Sequence, residues 1–376
     1  MLKMVDGSGI IGVDMVCPLG VSAPQPPNYD KVEVEGTGIL VLPNSLDAPL
    51  ERLELIGNST QGENPAPDNP QEIKSAGRFD EASGKYLLDV KITGKNLLNL
   101  QKEPDVKGLY QGWKVGNGDK GTLSIKDKGN NADISECYFG LNSDGTTSNS
   151  VTWLVDNGVI KRYHIESIEK MYAYMYPPNE KIIKKITERF EIQYEYGSIA
   201  TEYQPYKEQT LTITSDRPIT KWDKLVEQGG QIGWLYGSVI ATIDETADIS
   251  LYAPNGFFIH VKNIDKKEKS GYCDKLYTKK MSNGEPFVLF GIANNNFLYT
   301  LNTQEFYGKT ASEIKAKLKE YPLNIIGKSE TTEFVPLPQS EQNAIRSLKT
   351  YYPTTVITVD GGELDPDIKV TYRKEI

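Results

Sequence analysis

Residues able to do acid–base or metal chemistry are few in this chain. It holds two histidines, each in a strand-like context: Tyr163-His164-Ile165 and Ile259-His260-Val261. That is a thin supply for a nucleophile–His–carboxylate triad or an imidazole-based metal centre. Cys17, Cys137 and Cys273 lie far apart, odd in number and without CxxC or Cys/His spacing, so neither a disulfide framework nor a zinc site is indicated. Gly7-Ser8-Gly9-Ile10-Ile11-Gly12 matches the dinucleotide fingerprint in letters only. That motif requires a strand before it and a helix after it, and Cys17-Pro18 follows instead. Carboxylate pairs such as Glu166 with Glu169, or Asp127 with Asp133, have no special spacing. The oxygen-rich stretch Asp119, Asp127, Asn130, Asn131 and Asp133 lacks EF-hand order and reads as solvated turns. No catalytic residue, no metal and no cofactor is expected.

Aromatic residues carry the stronger functional signal. Trp113 and Trp153 fall in a glycine-rich middle region, near Tyr110 and Tyr138. A flat, exposed ring covers the apolar C–H face of a sugar at little entropic cost. These four residues are the candidate carbohydrate-binding set. The competing expectation for each tryptophan is burial in a core, where large aromatics spend most of their surface.

The elements that would position them are mainly strands. Tyr86, Leu88, Val90 and Ile92 alternate with polar residues. Phe190, Ile192, Tyr194 and Tyr196 do the same opposite Glu191, Gln193 and Glu195. Period two with one polar side predicts sheets buried on one face. Tyr172, Tyr174 and Tyr176 alternate with Met171, Ala173 and Met175, which predicts a strand covered on both faces. Two helices are predicted in the C-terminal third. One opens at the Thr310-Ala311-Ser312-Glu313 capping box and stops at Tyr321-Pro322; the other runs from about Ser340 to Lys349. A pair of strands, Val356–Val359 and Ile368–Tyr372, is expected after it.

With 376 residues the chain is expected to hold two or three domains. Its seams are proline-rich: Ser22–Asn28, the loop from Gln61 to Pro70, and Gly197–Lys207. They divide it into an N-terminal docking arm and linker (1–28), an N-terminal β region (29–95), a middle sandwich (96–206) and a C-terminal α+β domain (207–376). Lys+Arg 42 against Asp+Glu 51 leaves a formal charge of −9, which argues against nucleic acid as the partner. The one lysine-rich run, Lys262–Lys269, is diluted by acids. No stretch approaches the roughly 20 apolar residues that span a bilayer, so no membrane insertion is expected. Asp14 and Cys17-Pro18 interrupt the apolar N-terminal stretch, so export by a signal peptide is not expected either.

Three segments carry a resemblance. Ile192–Tyr206, ending Ala200-Thr201-Glu202-Tyr203-Gln204-Pro205-Tyr206, resembles the closing strand and linker of minor structural proteins of Firmicutes phages, prophages and phage-tail-like bacteriocins. That family carries an E-x-G-S-T-A-T-x-Y-E-P-Y segment; here Tyr196 and Ile199 replace commoner residues and Gln204 replaces an acid. Gly77–Tyr86 with Gly94–Leu98 resembles the family's approach to its middle domain. Leu348–Thr355 resembles its L-x-T-Y-Y-P-x-T signature. Together they span roughly residues 35–372 in order.

The resemblance implies a jelly-roll β-sandwich like carbohydrate-binding modules over 96–206, and no catalytic residues. It also implies a virion or tail-like particle assembled in the bacterial cytoplasm and released by lysis. The expected function is a non-enzymatic tail-tip or baseplate component that binds host cell-surface polysaccharide. The alternatives are a baseplate scaffold that binds no glycan and, behind it, a cell-wall depolymerase. Expected partners are other tail or baseplate proteins, a host cell-wall glycan, and further copies of the chain, with a trimer favoured. Tyr203 and Tyr206 are expected to pack the linker against its neighbour.

Overall fold

The computed structural model describes residues 29–43, 46–107, 111–115, 120–142, 151–168, 171–252, 256–265, 270–278, 287–292, 297–301 and 310–375. The expected docking arm, the Gly7–Gly12 motif, Tyr110, Asp119 and the end of the lysine-rich run lie outside them. The protein is mainly β, as its period-two patterning predicts, and the strand pairs among the described residues are antiparallel.

The largest unit is a sandwich of two sheets. One runs in the order Tyr29–Thr37, Asp367–Glu375, Arg52–Ile56, Lys224–Gln228, Gln231–Ile243, Leu323–Pro336, Gly271–Cys273. The other runs Glu208–Ser215, Lys85–Thr93, Thr354–Asp360, Ile39–Pro43, with Arg78–Asp80 also paired to Lys85–Thr93. Their inward side chains form one core. Leu42, Leu88, Val90 and Ile92 from the N-terminal part meet Ile213, Trp234, Ile357, Val359, Ile368 and Tyr372 from the C-terminal part. Each such side chain contributes roughly 1.5–3 kcal/mol by leaving water.

This overturns the expected division into a separate 29–95 region and a 207–376 domain. The two are halves of one sandwich, because the exposed apolar face of each half is covered only by the other. The last two strands were expected as a pair. They lie instead in opposite sheets, Thr354–Asp360 beside Lys85–Thr93 and Asp367–Glu375 beside Arg52–Ile56. Both present apolar faces to the same core, one from each sheet.

Two further units grow out of this sandwich, each between strands that pair with each other. Thr93 lies opposite Glu208, so residues 94–207 form an insertion into a two-stranded ladder. Ile243 lies opposite Leu323, so residues 244–322 form a second. Phe79 and Tyr86, at the start of the Lys85–Thr93 strand, share a cleft with Ile240, Thr242 and Asn324 at the root of the second insertion. The first insertion leaves at Thr93, about 20–25 Å along that strand at ~3.3 Å per residue. The two insertions therefore root at opposite ends.

The first insertion packs the sheet His164–Ile168, Gly121–Asp127, Phe190–Tyr196 on a longer one. That sheet runs Val159–Ile160, Thr152–Asp156, Tyr138–Asn142, Met171–Tyr176, Gln111–Val115, Val106–Lys107. Its core comes entirely from this unit, from Leu98 to Tyr194. A helix missed in the sequence, Glu180–Arg189, closes one end. Asn179 caps it by accepting from Ile182 N–H, and Ile182 and Ile186 face the core. The signal was there in Pro-Pro-Asn-Glu followed by isoleucines one turn apart.

The second insertion sets the helix Ala311–Glu320 against a four-stranded sheet, Asp248–Tyr252, Gly256–His260, Phe297–Leu301, Phe287–Ile292. Its Thr310–Glu313 capping box forms as expected, and Ile314 and Leu318 are buried. The last helix spans Gln339–Arg346, shorter than expected at its C-terminal end.

Candidate functional site

Strand parity decides what the six-stranded sheet of the first insertion shows to the outside. Trp113, Val115, Ala173, Met175, Phe139 and Leu141 face the core. The alternate positions face outward. Tyr138 lies opposite Tyr176, Gly140 opposite both Tyr174 and Trp153, and Gly112 opposite Tyr174.

These outward rings form a continuous row. Trp153 meets Tyr138 at 5.5 Å between centroids and 61° between planes. Tyr138 meets Tyr176 at 5.6 Å and 66°, and Trp153 meets Tyr174 at 5.6 Å and 64°. Edge-to-face contacts of this kind hold each ring rigid by its neighbours. Gly140 is required at the centre of the row, since a Cβ there would sit 2.4 Å from the Thr152 carbonyl oxygen. Tyr174 is buried, whereas Trp153, Tyr138 and Tyr176 are each part-exposed.

Of the four residues singled out in the sequence, Tyr138 and Trp153 come together on this face. Trp113 does not. It is 2% exposed, packs in the core and donates its indole N–H to the Lys102 carbonyl at 2.9 Å. Its place in the strand gives it the parity of Val115 rather than of Gly112, so it is withdrawn as a contact residue. Tyr110 lies outside the described residues. Tyr174 and Tyr176 were missed as site residues. Their signal was the Tyr172/Tyr174/Tyr176 alternation, which marks the second, aromatic face of a strand whose first face is core.

Two of the segments that carry the resemblance, Ile192–Tyr206 and Leu348–Thr355, meet elsewhere with Gly94–Leu98, at the neck of this unit, whereas Gly77–Tyr86 lies beside the root of the second insertion. Gln193 and Glu195 were expected on an open polar face; they are buried. The linker lies over them. Thr201 donates its N–H and hydroxyl to Glu195, at 2.9 and 2.6 Å, and Gln204 N–H donates to Gln193 Oε1 at 2.8 Å. Lys95 sits 3.6 Å from the Glu195 carboxylate and donates to the Glu202 carbonyl. Asn96 ties the incoming chain to the same strand through Ile192 O and Tyr194 N–H.

One step further, Gly94 N–H donates to Lys207 O at 3.0 Å. The Lys207 ammonium pairs with Asp47 at 3.1 Å and lies 5.5 Å from the Tyr351 ring centroid. Asp47 also accepts from Tyr352 N–H. Burial pushes the Tyr203 hydroxyl up, and burial with the Glu208 carboxylate pushes Tyr206 up further, as befits packed linker tyrosines. Residues of Gly94–Leu98, Ile192–Tyr206 and Leu348–Thr355 thus build the joint between two sandwiches.

The remaining polar residues are occupied structurally. Asp223 is fully buried and accepts from Thr220, Gly237, Ser238 and Arg217. Asp127 pairs with Arg189 at 2.7 Å. Asp133 pairs with Lys185 at 3.0 Å; the Ser135 hydroxyl and N–H, helped by that lysine, hold its carboxyl down at about 2. No group of three or more His, Cys, Asp and Glu suited to a metal ion is gathered among the described residues. His164 sits 3.3 Å from Glu166 on an exposed strand, and His260 lies 3.9 Å from Asp248 on another.

The cleft at the root of the second insertion, about 790 Å³, is lined by Phe79, Tyr86, Ile73, Ile240 and Asp274 among others. Its buried carboxylate, Asp274, is taken up by Lys275 and by Asn324 N–H and Nδ2. No helix among the described residues is long and apolar enough to cross a membrane. Comparison with protein-family models, with curated proteins and with solved structures returns no match.

Proposed function

We propose that this chain is a non-enzymatic component of a phage tail tip or baseplate, or of a tail-like bacteriocin, that holds host cell-surface polysaccharide on the inserted sandwich. The observation that carries the reading is the rigid outward row Trp153–Tyr138–Tyr176. Three part-exposed rings on one side of a sheet offer stacking surface to C–H faces of successive sugars, with phenol hydroxyls beside them for hydrogen bonds. The tail context rests on the resemblance of the three segments, of which Ile192–Tyr206 and Leu348–Thr355 reach the neck. Attachment through a double-stranded neck braced by buried polar groups supports a presenting role, since it holds a binding face away from the main body.

The strand order supports a jelly-roll reading of the unit. Successive strands cross between the sheets: Gln111–Val115, then Gly121–Asp127, then Tyr138–Asn142, and later His164–Ile168, Met171–Tyr176 and Phe190–Tyr196. The segment at Leu97 hydrogen-bonds to Tyr194 O along the outer edge.

Co-sedimentation of the purified chain with intact cells and isolated walls of Gram-positive hosts tests the function. Saturable binding that free wall polysaccharide competes away, and that Trp153→Ala weakens at least tenfold, is the expected result. Absence of binding to every strain the particle attacks, with the oligomeric state intact, would replace this reading with that of a baseplate scaffold.

A further inference from the structure

We infer that the polymer held on the aromatic face is an uncharged polysaccharide rather than a phosphate-bearing wall polymer. The inference rests on the proposed reading of that face and specifies its ligand.

Charges around the row cancel locally. Lys161 pairs with Asp156 at 3.4 Å, on the strand that carries Trp153. The Asp105 carboxylate pairs with the Lys102 ammonium at 3.6 Å and accepts the backbone N–H of Lys114, which lies opposite Tyr172, at 2.7 Å. Arg162, next to Lys161, and Lys114 are the two cations left over among these described residues. Polyanion recognition depends on several cations concentrated along the polymer path, which release its counterions. Two cations on different strands and loops do not supply that. The whole chain carries −9, so a phosphate polymer is also repelled at long range. What the face does concentrate is ring surface, which is indifferent to ligand charge and rewards exposed C–H groups.

Salt separates the two ligand classes. Stacking in a partly desolvated row is hardly screened, whereas contacts between exposed charges weaken sharply as the Debye length shrinks. The full-length chain is titrated calorimetrically with two probes from the same host wall, a neutral polysaccharide fraction and purified teichoic acid. Each is measured at about 50 mM and about 500 mM NaCl, a range over which the Debye length falls roughly threefold.

Expected is binding to the neutral fraction with less than about a twofold change in Kd across that range, since exposed charges contribute little to it. Trp153→Ala weakens it at least tenfold, while Trp153→Phe, which keeps a ring in the packed row, retains most of the affinity. Arg162→Gln leaves it within about twofold, as for a rim charge. Circular dichroism of each variant separates lost contact from lost fold. Binding to teichoic acid alone, tenfold or more weaker at high salt, would overturn the inference while leaving the glycan-binding function in place. A loss in Arg162→Gln as large as in Trp153→Ala would overturn it too. Binding to neither polymer at either salt concentration would overturn both together.

Discussion

Excising residues 94–207 and joining Thr93 to Glu208 through Asn-Gly is expected to leave a folded sandwich. Thr93 and Glu208 are direct partners in an antiparallel ladder, so their Cα atoms are about 5 Å apart, a gap that a two-residue turn closes. None of the buried residues of the main core lies between 94 and 207.

The losses are confined to the neck. The half-exposed Lys207–Asp47 pair is worth about 0–1 kcal/mol. The Lys207–Tyr351 contact is worth about 0.5–1 kcal/mol. The Gly94–Lys207 backbone hydrogen bond adds about 1 kcal/mol. Tyr206, which donates to Glu208 and lies 5.7 Å from the Lys91 ammonium, takes with it a hydrogen bond and a cation–π contact of about 1 kcal/mol each. Together these set a ceiling of about 5 kcal/mol on the destabilisation. The assay is denaturant unfolding followed by tryptophan fluorescence; after excision the two remaining tryptophans, Trp222 and Trp234, both report on the main sandwich. A single cooperative transition with a modestly lowered midpoint is expected. A chain that unfolds without cooperativity, or loses far more than this ceiling, would refute the claim that 29–93 and 208–375 form an independent body.

Further outcomes follow from other sites. Trp113→Ala is expected to destabilise the inserted sandwich by about 3–5 kcal/mol, measurable by urea unfolding; a change under 1 kcal/mol would contradict its place in the core. Asp223→Ala leaves buried Thr220, Gly237 and Ser238 donors and the Arg217 charge without their acceptor, and is expected to cost about 3–5 kcal/mol in the same assay. Burial tends to raise the Asp47 carboxyl, but Tyr352 N–H and Lys207 outweigh it and hold it below its ordinary value of 3.8. Its contribution to the neck is therefore present above that value and fades as pH falls below it, so protease cutting near Lys207 should accelerate below about pH 4 but not between pH 5 and 8. Burial pushes the Cys273 thiol up to about 12, and Cys137 is likewise buried and raised. A thiol reagent should find no more than one reactive cysteine in the native chain and three after denaturation.

Period-two alternation in Tyr86–Ile92 and Phe190–Tyr196 was enough to identify strands and their apolar sides, because side-chain parity is a property of the strand itself. The Thr310–Glu313 capping box marked its helix start for the same reason: every group involved lies within one turn. The Asn179-capped helix Glu180–Arg189 is encoded just as locally, yet was missed. Pairing was not legible. Lys85–Thr93 finds Glu208–Ser215 on one side and Thr354–Asp360 on the other, across separations no local pattern encodes. Reading the proline seams as ends of consecutive domains therefore divided one sandwich into two.

The same limit applies to the site. Trp113 and Trp153 are both strand tryptophans near glycines, and composition cannot tell them apart. One faces the core and the other faces out, because each takes its side from the register of the strands beside it. Glu195 looks like a solvated strand residue until the linker folds back over it. Amino-acid order determined the strands, the caps and the supply of aromatic rings. Burial and the company each ring keeps arise only when distant segments close on one another, and that was decided by tertiary structure alone.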